Sequence, residues 1–364
     1  MSKTEKMPRL CVGIDLHKTQ FTVNAITENV EVLLEDVYKT DEHGYESFCK
    51  QMHEFESKEG FTIELAIEAT GNARFFKNLM ESEGFLVVVV NTNKFKVISS
   101  STKKTDANDA GTLAFYLMKD MLPESHLCDQ TSQEIRRILK TRSFLVSSTV
   151  KIKNQIHGMM LDYGIVTSAA QFQSKKARQQ MFLDLEGHRF SEYAASSLKV
   201  MLDSIDNLYA QIKKIEKQMA EMVKDDQDVD LLMTVPGIGF ITATTIASYA
   251  KNIERFDGDF SKFAAYLGIV PGVRDSNEYV HRGKITKRGP MILRTAFVQV
   301  ALGMIRMPNK TKDWRLMKSY QQMKIDKGSG RAIIATTRKI ARIVFAMLQT
   351  RKPFDSSLMQ SNMC

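Results

Sequence analysis

The sequence predicts an α/β domain at the N-terminus followed by a largely all-α remainder, and three observations carry that division. Short apolar or alternating runs, interrupted by helical stripes, fill roughly the first third of the chain. Beyond about residue 130, apolar residues recur at steps of three and four over two long stretches. A Pro-Gly-Ile-Gly string at 236–239 then separates two short helical patterns, with basic clusters after it.

Each element has its own signal. Residues 10–14 are a short apolar run, 21–26 alternate after a polar turn, and 30–37 give a third strand, so an antiparallel meander is expected. Tyr45, Phe48, Met52 and Phe55 then fall on one face of a helix over 41–56. Strand signals return at 61–67 and 85–90, with a helix over 73–82 between them and another opening near Asp106. Three strands, then helix, strand, helix, strand, helix, is the order of the RNase H-like fold. A doubly wound dinucleotide fold would need a G-x-G-x-x-G turn after its first strand, and the chain has none there.

Residues 131–164 read as one long helix, with Thr131 and Glu134 as a capping box and Ile138, Leu145, Ile152 and Met159 at seven-residue steps. A second long helix over 194–224 carries Leu198, Met201, Ile205, Leu208, Ile212, Ile215, Met219 and Met222 in alternating steps of three and four. That is a heptad seam. The first helix reads equally as part of a bundle. The second reads as a coiled-coil arm joining protomers into a dimer or tetramer. Segment 231–250 has the form of a helix-hairpin-helix: Gly237 and Gly239 would let the backbone approach a phosphate, and the second helix would offer free N–H groups. A plain αα turn with a glycine C-cap is the alternative. Arg274, His281, Arg282, Lys284, Lys287, Arg288 and Arg294 follow, and a last helix over 331–348 carries Arg331, Arg338, Lys339 and Arg342 on one side. A charge run is usually a solvated face, but two of them after a phosphate-binding hairpin favour a nucleic-acid surface. The expected domains are 1–125, 126–228 and 229–364, the last containing the helix-hairpin-helix.

Composition narrows the partners. A chain of 364 residues, 43% hydrophobic and 26% charged, suits two or three cores. Its net charge of +9 favours a polyanion, because Lys and Arg that neutralise phosphates release condensed counterions. Cys11, Cys49, Cys128 and Cys364 lie far apart with no C-x-x-C pair, which argues against a disulfide framework or a zinc site. The longest apolar run, 85–90, is too short to span a bilayer and the first residues carry no apolar segment, so a cytoplasmic, nucleoid-associated protein is expected.

Four carboxylates stand where chemistry would need them. Asp15 ends the first strand in CVGIDLHK, Glu68 ends the fourth in LAIEATG, and Asp106 and Asp109 open a helix in KKTDANDAG. The i, i+3 spacing puts the last two on one helical face. In an RNase H-like sheet the first and fourth strands are neighbours, so all four acids converge. Such a cluster needs divalent cations, and two Mg²⁺ ions would activate the attacking oxygen and stabilise the leaving one in phosphodiester cleavage. Taken singly, each acid has a plainer use: Asp106 or Asp109 as a helix cap, Glu68 as a surface residue at a strand end.

The strings GIDLHK, EATGN and KTDANDA, followed by VPGIGFITA, FAAYLGIVPG and RDSNEYVHRGKITKRG, resemble the DEDD-type transposases of the IS110 insertion-sequence family. The resemblance runs from Cys11 to about Phe354. It implies an RNase H-like (RuvC-like) nuclease domain, a coiled-coil middle and a C-terminal transposase domain. It further implies Mg²⁺ dependence, oligomeric assembly, cutting and rejoining of DNA at element ends and targets, and guidance by a structured non-coding RNA. By motif position, Asp15, Glu68, Asp106 and Asp109 would be the acidic tetrad and Ser276 the nucleophile. A serine suits that role, because a phosphodiester to the protein conserves the bond energy for rejoining. From the residues alone, Ser276 reads as a turn residue. The nearest rival is a site-specific DNA invertase of the Piv type or a junction resolvase, which would use the same residues. A sugar or acetate-type kinase would need a later glycine-rich ATP turn that the chain lacks, and a non-catalytic nucleic-acid scaffold would tolerate loss of any one carboxylate.

Overall fold

The computed structural model describes residues 7–92, 94–95, 105–183, 190–276 and 279–360, with the side chains of 273–282 outside the description. The chain divides into two compact units, 1–127 and 128–364.

The first unit is a five-stranded mixed sheet, consistent with the RNase H-like expectation. Strands β1 (Arg9–Leu16), β2 (Gln20–Thr27) and β3 (Val32–Lys39) form the antiparallel meander, and β4 (Thr62–Glu68) and β5 (Leu86–Val90) add in parallel, giving the order β3-β2-β1-β4-β5. The third strand starts two residues later than the sequence suggests, because Val30 takes a left-handed φ of 66° in a tight turn whose N–H bonds to the Thr27 carbonyl. Alternation sorts the two faces. Leu10, Val12, Ile14 and Leu16 of β1 and Ile63, Leu65 and Ile67 of β4 share one core with helices α1 (Glu42–Glu59) and α2 (Ala73–Ser82). Cys11 and Ala66, on the other face, pack against Leu113, Ala114 and Leu117 of α3 (Asp106–Met118).

Gly13 lies on that second face, and it sets how close α3 comes. A Cβ built there would fall under 3.0 Å from the Ala110 carbonyl oxygen, the Ala114 nitrogen and the Leu113 Cβ. Only a residue without a side chain lets the helix backbone lie directly on the strand.

The second unit is helical apart from one hairpin. Its long helices α4 (Gln130–Asp162) and α6 (Glu192–Met222) run antiparallel: Arg142 meets Glu216 at 2.7 Å, and Lys153 meets the Tyr209 hydroxyl at 2.8 Å. The cap of α4 is Asp129, not the expected Thr131–Glu134 box. Its backbone is extended (φ −59°, ψ 164°), and its carboxylate accepts from the Ser132 N–H at 2.8 Å and hydroxyl at 2.6 Å. Glu134 instead accepts from the Gln130 amide. Part of the heptad seam of α6 is covered within the same chain, while Leu208 and Ile215 stay partly exposed. Leu198, Leu202 and Ile205 pack on Ile156 and Met160 of α4, on Phe172 of a 3₁₀ turn (Ala169–Phe172), and on Met181 of α5 (Lys175–Leu183). Met219 and Val223 join Ile135 and Leu139 in the core of the C-terminal helices.

That larger core is built by α7 (Gln227–Met233), α8 (Phe240–Ala250), α9 (Phe260–Leu267), α10 (Met291–Ile305), α12 (Arg315–Lys327) and α13 (Ser329–Thr350), with the short α11 (Pro308–Thr311) between α10 and α12. Much of segment 271–285 falls in the stretch that the sequence marks only as polar and basic, and it forms an antiparallel hairpin of β6 (Pro271–Ser276) and β7 (Tyr279–Ile285). Among the described residues, no helix is long and apolar enough to cross a membrane.

Candidate active site

The site begins from strand register. Ile14 of β1 pairs with Ile67 of β4, so the next residues, Asp15 and Glu68, follow side by side at the C-terminal end of that parallel pair, Asp15 still paired with Thr22 of β2 and Glu68 with Val90 of β5. Both lie on the Gly13/Ala66 face by the two-residue period, the face α3 covers. Thr105 caps α3 by accepting from the Asn108 N–H at 3.3 Å, which starts the helix at Asp106 and puts Asp106 and Asp109 in its first turn, just before Ala110. The close approach at Gly13 thus carries both acids to the strand ends.

Burial and neighbouring charge both act on the two strand-borne carboxylates. The Asp15 carboxyl is pushed above the usual range, first by burial and also by the negative charges of Asp106 and Asp109, with His17 opposing. Glu68 is pushed up too, by burial and then by Asp15 and Asp109. Mutual repulsion of this kind is relieved by a divalent cation, and carboxylate oxygens are the donors such a cation takes. The donor set therefore fits a metal centre.

His17 is a member that sequence reasoning missed. Its Nε2 lies 3.1 Å from Asp15 Oδ2 and 3.5 Å from Asp106 Oδ1. Ligand atoms of Asp15, His17 and Asp106 all lie within 4.8 Å of one another, a grouping that could hold a metal ion. The signal was a histidine two residues beyond the strand-end aspartate, but its direction depends on a turn that spacing does not reveal.

The expected nucleic-acid contacts divide. Gly237 takes a positive φ of 88°, and a Cβ there would meet Met307 and the backbone of Val300 and Met304 only at ordinary contact distances, so the turn itself and not crowding calls for glycine. Gly239 has open space around it and heads α8 with no side-chain cap. Lys284, Lys287 and Arg288 are exposed. Arg294 is partly buried and donates to the carbonyls of Leu267 at 3.3 Å and Lys287 at 3.2 Å, tying the loop after β7 to the end of α9. The side chains of Arg274, Ser276, His281 and Arg282 lie outside the described residues, though the backbone places Ser276 opposite Tyr279 at the end of the hairpin. A separate groove of about 580 Å³ between α12 and α13 is lined by Arg315, Arg338, Lys339 and Arg342, with no carboxylate among the described lining residues.

Comparison with known proteins agrees over most of the chain. One family model, described as Transposase, matches residues 12–165, and a second, described as Transposase IS116/IS110/IS902 family, matches residues 229–318. A probable family 20 transposase of Pseudomonas aeruginosa is 23% identical over 337 residues, covering 93% of this chain and 96% of that protein. The transposase for insertion sequence element IS1111A of Coxiella burnetii is 25% identical over 295 residues, covering 80% and 79%. A pilin gene-inverting protein of Moraxella lacunata is 22% identical over 361 residues, covering 97% and 99%.

Proposed function

This chain belongs to the IS116/IS110/IS902 transposase family and is a DNA-cleaving transposase, and from that premise we propose how its residues divide the work. Asp15, Glu68, Asp106 and Asp109 hold Mg²⁺, which when bound supplies charge neutralisation and activation at the scissile phosphate. Packing of α3 on Gly13 is the observation that carries this reading, because it brings two helix-borne acids to two strand-end acids. The Ser276 hydroxyl attacks the phosphorus: a serine–phosphate ester forms, the bond to the leaving DNA oxygen breaks, and that oxygen takes up a proton. Attack by another strand's hydroxyl reverses the step and rejoins DNA.

Lys284, Lys287 and Arg288, the open N-terminus at Gly239, and the α12/α13 groove would contact phosphates of DNA and of a structured guide RNA. The exposure of these bases supports the DNA part of this reading, and the family resemblance supplies the guide RNA and a homo-oligomer. Site-specific inversion by the same residues is the second reading, favoured by the nearly full-length match to pilin gene-inverting proteins.

The test incubates the protein with DNA spanning the element end, RNA transcribed from the flanking non-coding stretch, and Mg²⁺. Wild type should form a protein–DNA adduct and nicked product. Asp15→Asn or excess EDTA should abolish both, and Ser276→Ala should bind normally yet form no adduct. Cleavage persisting in EDTA would overturn the metal assignment, and an adduct mapping to another hydroxyl would overturn Ser276. Intact inverted product without excision would favour the second reading.

A further inference from the structure

We infer that His17 is a direct ligand of the cation held by Asp15 and Asp106, so that the centre binds through nitrogen as well as oxygen and favours a transition-metal ion such as Mn²⁺ over Mg²⁺. The inference rests on the carboxylate cluster being a metal centre. Its own basis is the placement of one imidazole nitrogen.

Two features aim that ring. β1 has ended at Leu16, and the chain turns back immediately: the His17 N–H donates to the Gln20 carbonyl at 2.9 Å. The His17 carbonyl accepts from the Asn72 side-chain amide at 3.0 Å, and the next carbonyl, of Lys18, accepts from the Thr40 hydroxyl at 2.6 Å. Asn72 is the residue that precedes α2, and Thr40 follows β3, so the turn is pinned from both sides by the fold itself. The backbone that carries His17 is thus tied to two neighbouring elements.

The distances then suit coordination. Bonds of about 2.0–2.2 Å radiating from an octahedral ion put neighbouring donor atoms roughly 3 Å apart. His17 Nε2 stands 3.1 Å from an Asp15 oxygen and 3.5 Å from an Asp106 oxygen, separations close to the edge of such a polyhedron, and the three donors all lie within 4.8 Å of one another. The side chain is half exposed, and an imidazole that ligates through Nε2 carries its ring proton on Nδ1. A histidine serving only as a counter-charge to the carboxylates would be displaced by an incoming cation; a ligand would stay.

Nitrogen ligation changes which ion is preferred. Imidazole gains affinity along the first-row divalent series, whereas Mg²⁺ prefers oxygen donors and keeps its waters. Among the described residues no other histidine joins the cluster.

The experiment loads full-length protein with one equivalent of Mn²⁺ and records pulsed EPR for ¹⁴N modulation from a coordinated imidazole. Wild type should show the modulation, and so should His53→Ala, a control on α1 whose ring pairs with Glu56. His17→Ala should lose it. The ratio of Mn²⁺ to Mg²⁺ affinity, from calorimetric titration, should fall by about tenfold or more in His17→Ala, since even outer-shell changes at metal sites cost that much. Mn²⁺ binding that requires Asp15 but shows no ¹⁴N modulation, or shows it unchanged in His17→Ala, overturns the role of His17 and leaves the carboxylate centre standing. Absence of any Asp15-dependent Mn²⁺ binding overturns the carboxylate centre and this inference together.

Discussion

Replacing Gly13 by alanine tests the geometric premise of the whole site with one added carbon. The new Cβ would sit under 3.0 Å from the Ala110 oxygen, the Ala114 nitrogen and the Leu113 Cβ, and the first two are helix backbone that no rotamer change can move. Restoring ordinary contact requires α3 to withdraw by on the order of 1 Å from β1. Overpacking of this kind costs about 1–3 kcal/mol of stability. The catalytic effect should be larger than the stability effect. Asp106 and Asp109 travel with α3, whereas Asp15 and Glu68 stay with the sheet. A misplacement of about 1 Å between parts of one catalytic constellation is worth roughly 100-fold in rate. Strand cleavage by Gly13→Ala should fall by about that factor at a temperature where circular dichroism shows the protein folded. Gly111→Ala is the matched control on the same helix, because a Cβ there would meet the Asn24 side-chain amide at 3.7 Å, an ordinary contact. It should remain active and gain about 0.5–1 kcal/mol from helix propensity. A folded Gly13→Ala protein that cleaves at the wild-type rate would refute the reasoning.

Three further outcomes follow from the same structure. The Glu68 carboxyl has a folded-state pKa above its unfolded value, so the fold carries a penalty that is absent below the unfolded pKa and fully present above the folded one. In EDTA, Glu68→Gln should therefore melt higher than wild type at neutral pH, with the two curves converging as pH falls through the carboxylate range; a difference independent of pH would contradict this. Neutralising Lys287 and Arg288 together should weaken DNA binding and reduce the magnitude of the slope of log K against log salt by about 2; an unchanged slope means they touch no phosphate. Ile205→Asp places a charge where Leu198, Ile156, Phe172 and Met181 leave no water, so limited proteolysis should find α4 and α6 opened. A folded variant of lower mass by light scattering would instead mean that this seam faces a second copy.

How much of this was legible depended on the range of the signal. The strands were readable because the apolar run at 10–14 and the strand signal at 61–67 are local, and they placed Asp15 and Glu68 beside strand ends. The close contact at Gly13 was hinted at by a glycine inside a strand, but its partner lies in a helix about a hundred residues on, and spacing cannot name it. His17 was invisible for the same reason: the turn that carries it is held in part by Asn72, 55 residues away, which donates to the His17 carbonyl. The cap of α4 went to Asp129 because two extended backbone angles, which sequence does not give, decided between neighbouring candidates. The heptads of α6 announced an apolar stripe correctly, but a stripe says that something covers it and not whose residues do. The hairpin at 271–285 went unread because Gly272, Gly283 and interleaved bases broke the alternation.

Net charge is the feature most easily over-read, since many of the bases behind the value of +9 are already engaged within the protein. Arg136 donates through two nitrogens to the Ser248 carbonyl and lies over the Tyr249 ring; Arg255 holds the Tyr249 carbonyl between the rings of Phe256 and Tyr266. Arg178 is buried against Asp206, and Arg142 is paired with Glu216. Arg294 belongs to this group, although it sits in the basic run that the sequence marks as a binding surface, because its guanidinium holds the Leu267 and Lys287 carbonyls. Removing it strips partners from two backbone acceptors and loosens the loop that presents Lys287 and Arg288, so weakened binding in an Arg294 variant carries no information about a phosphate contact unless stability is measured beside it. Lys284, Lys287 and Arg288 are exposed and stand in the same run, so their charge is the part available to a polyanion. Their variants can change affinity while leaving the melting curve in place, and that separation is what distinguishes a binding residue from a structural one.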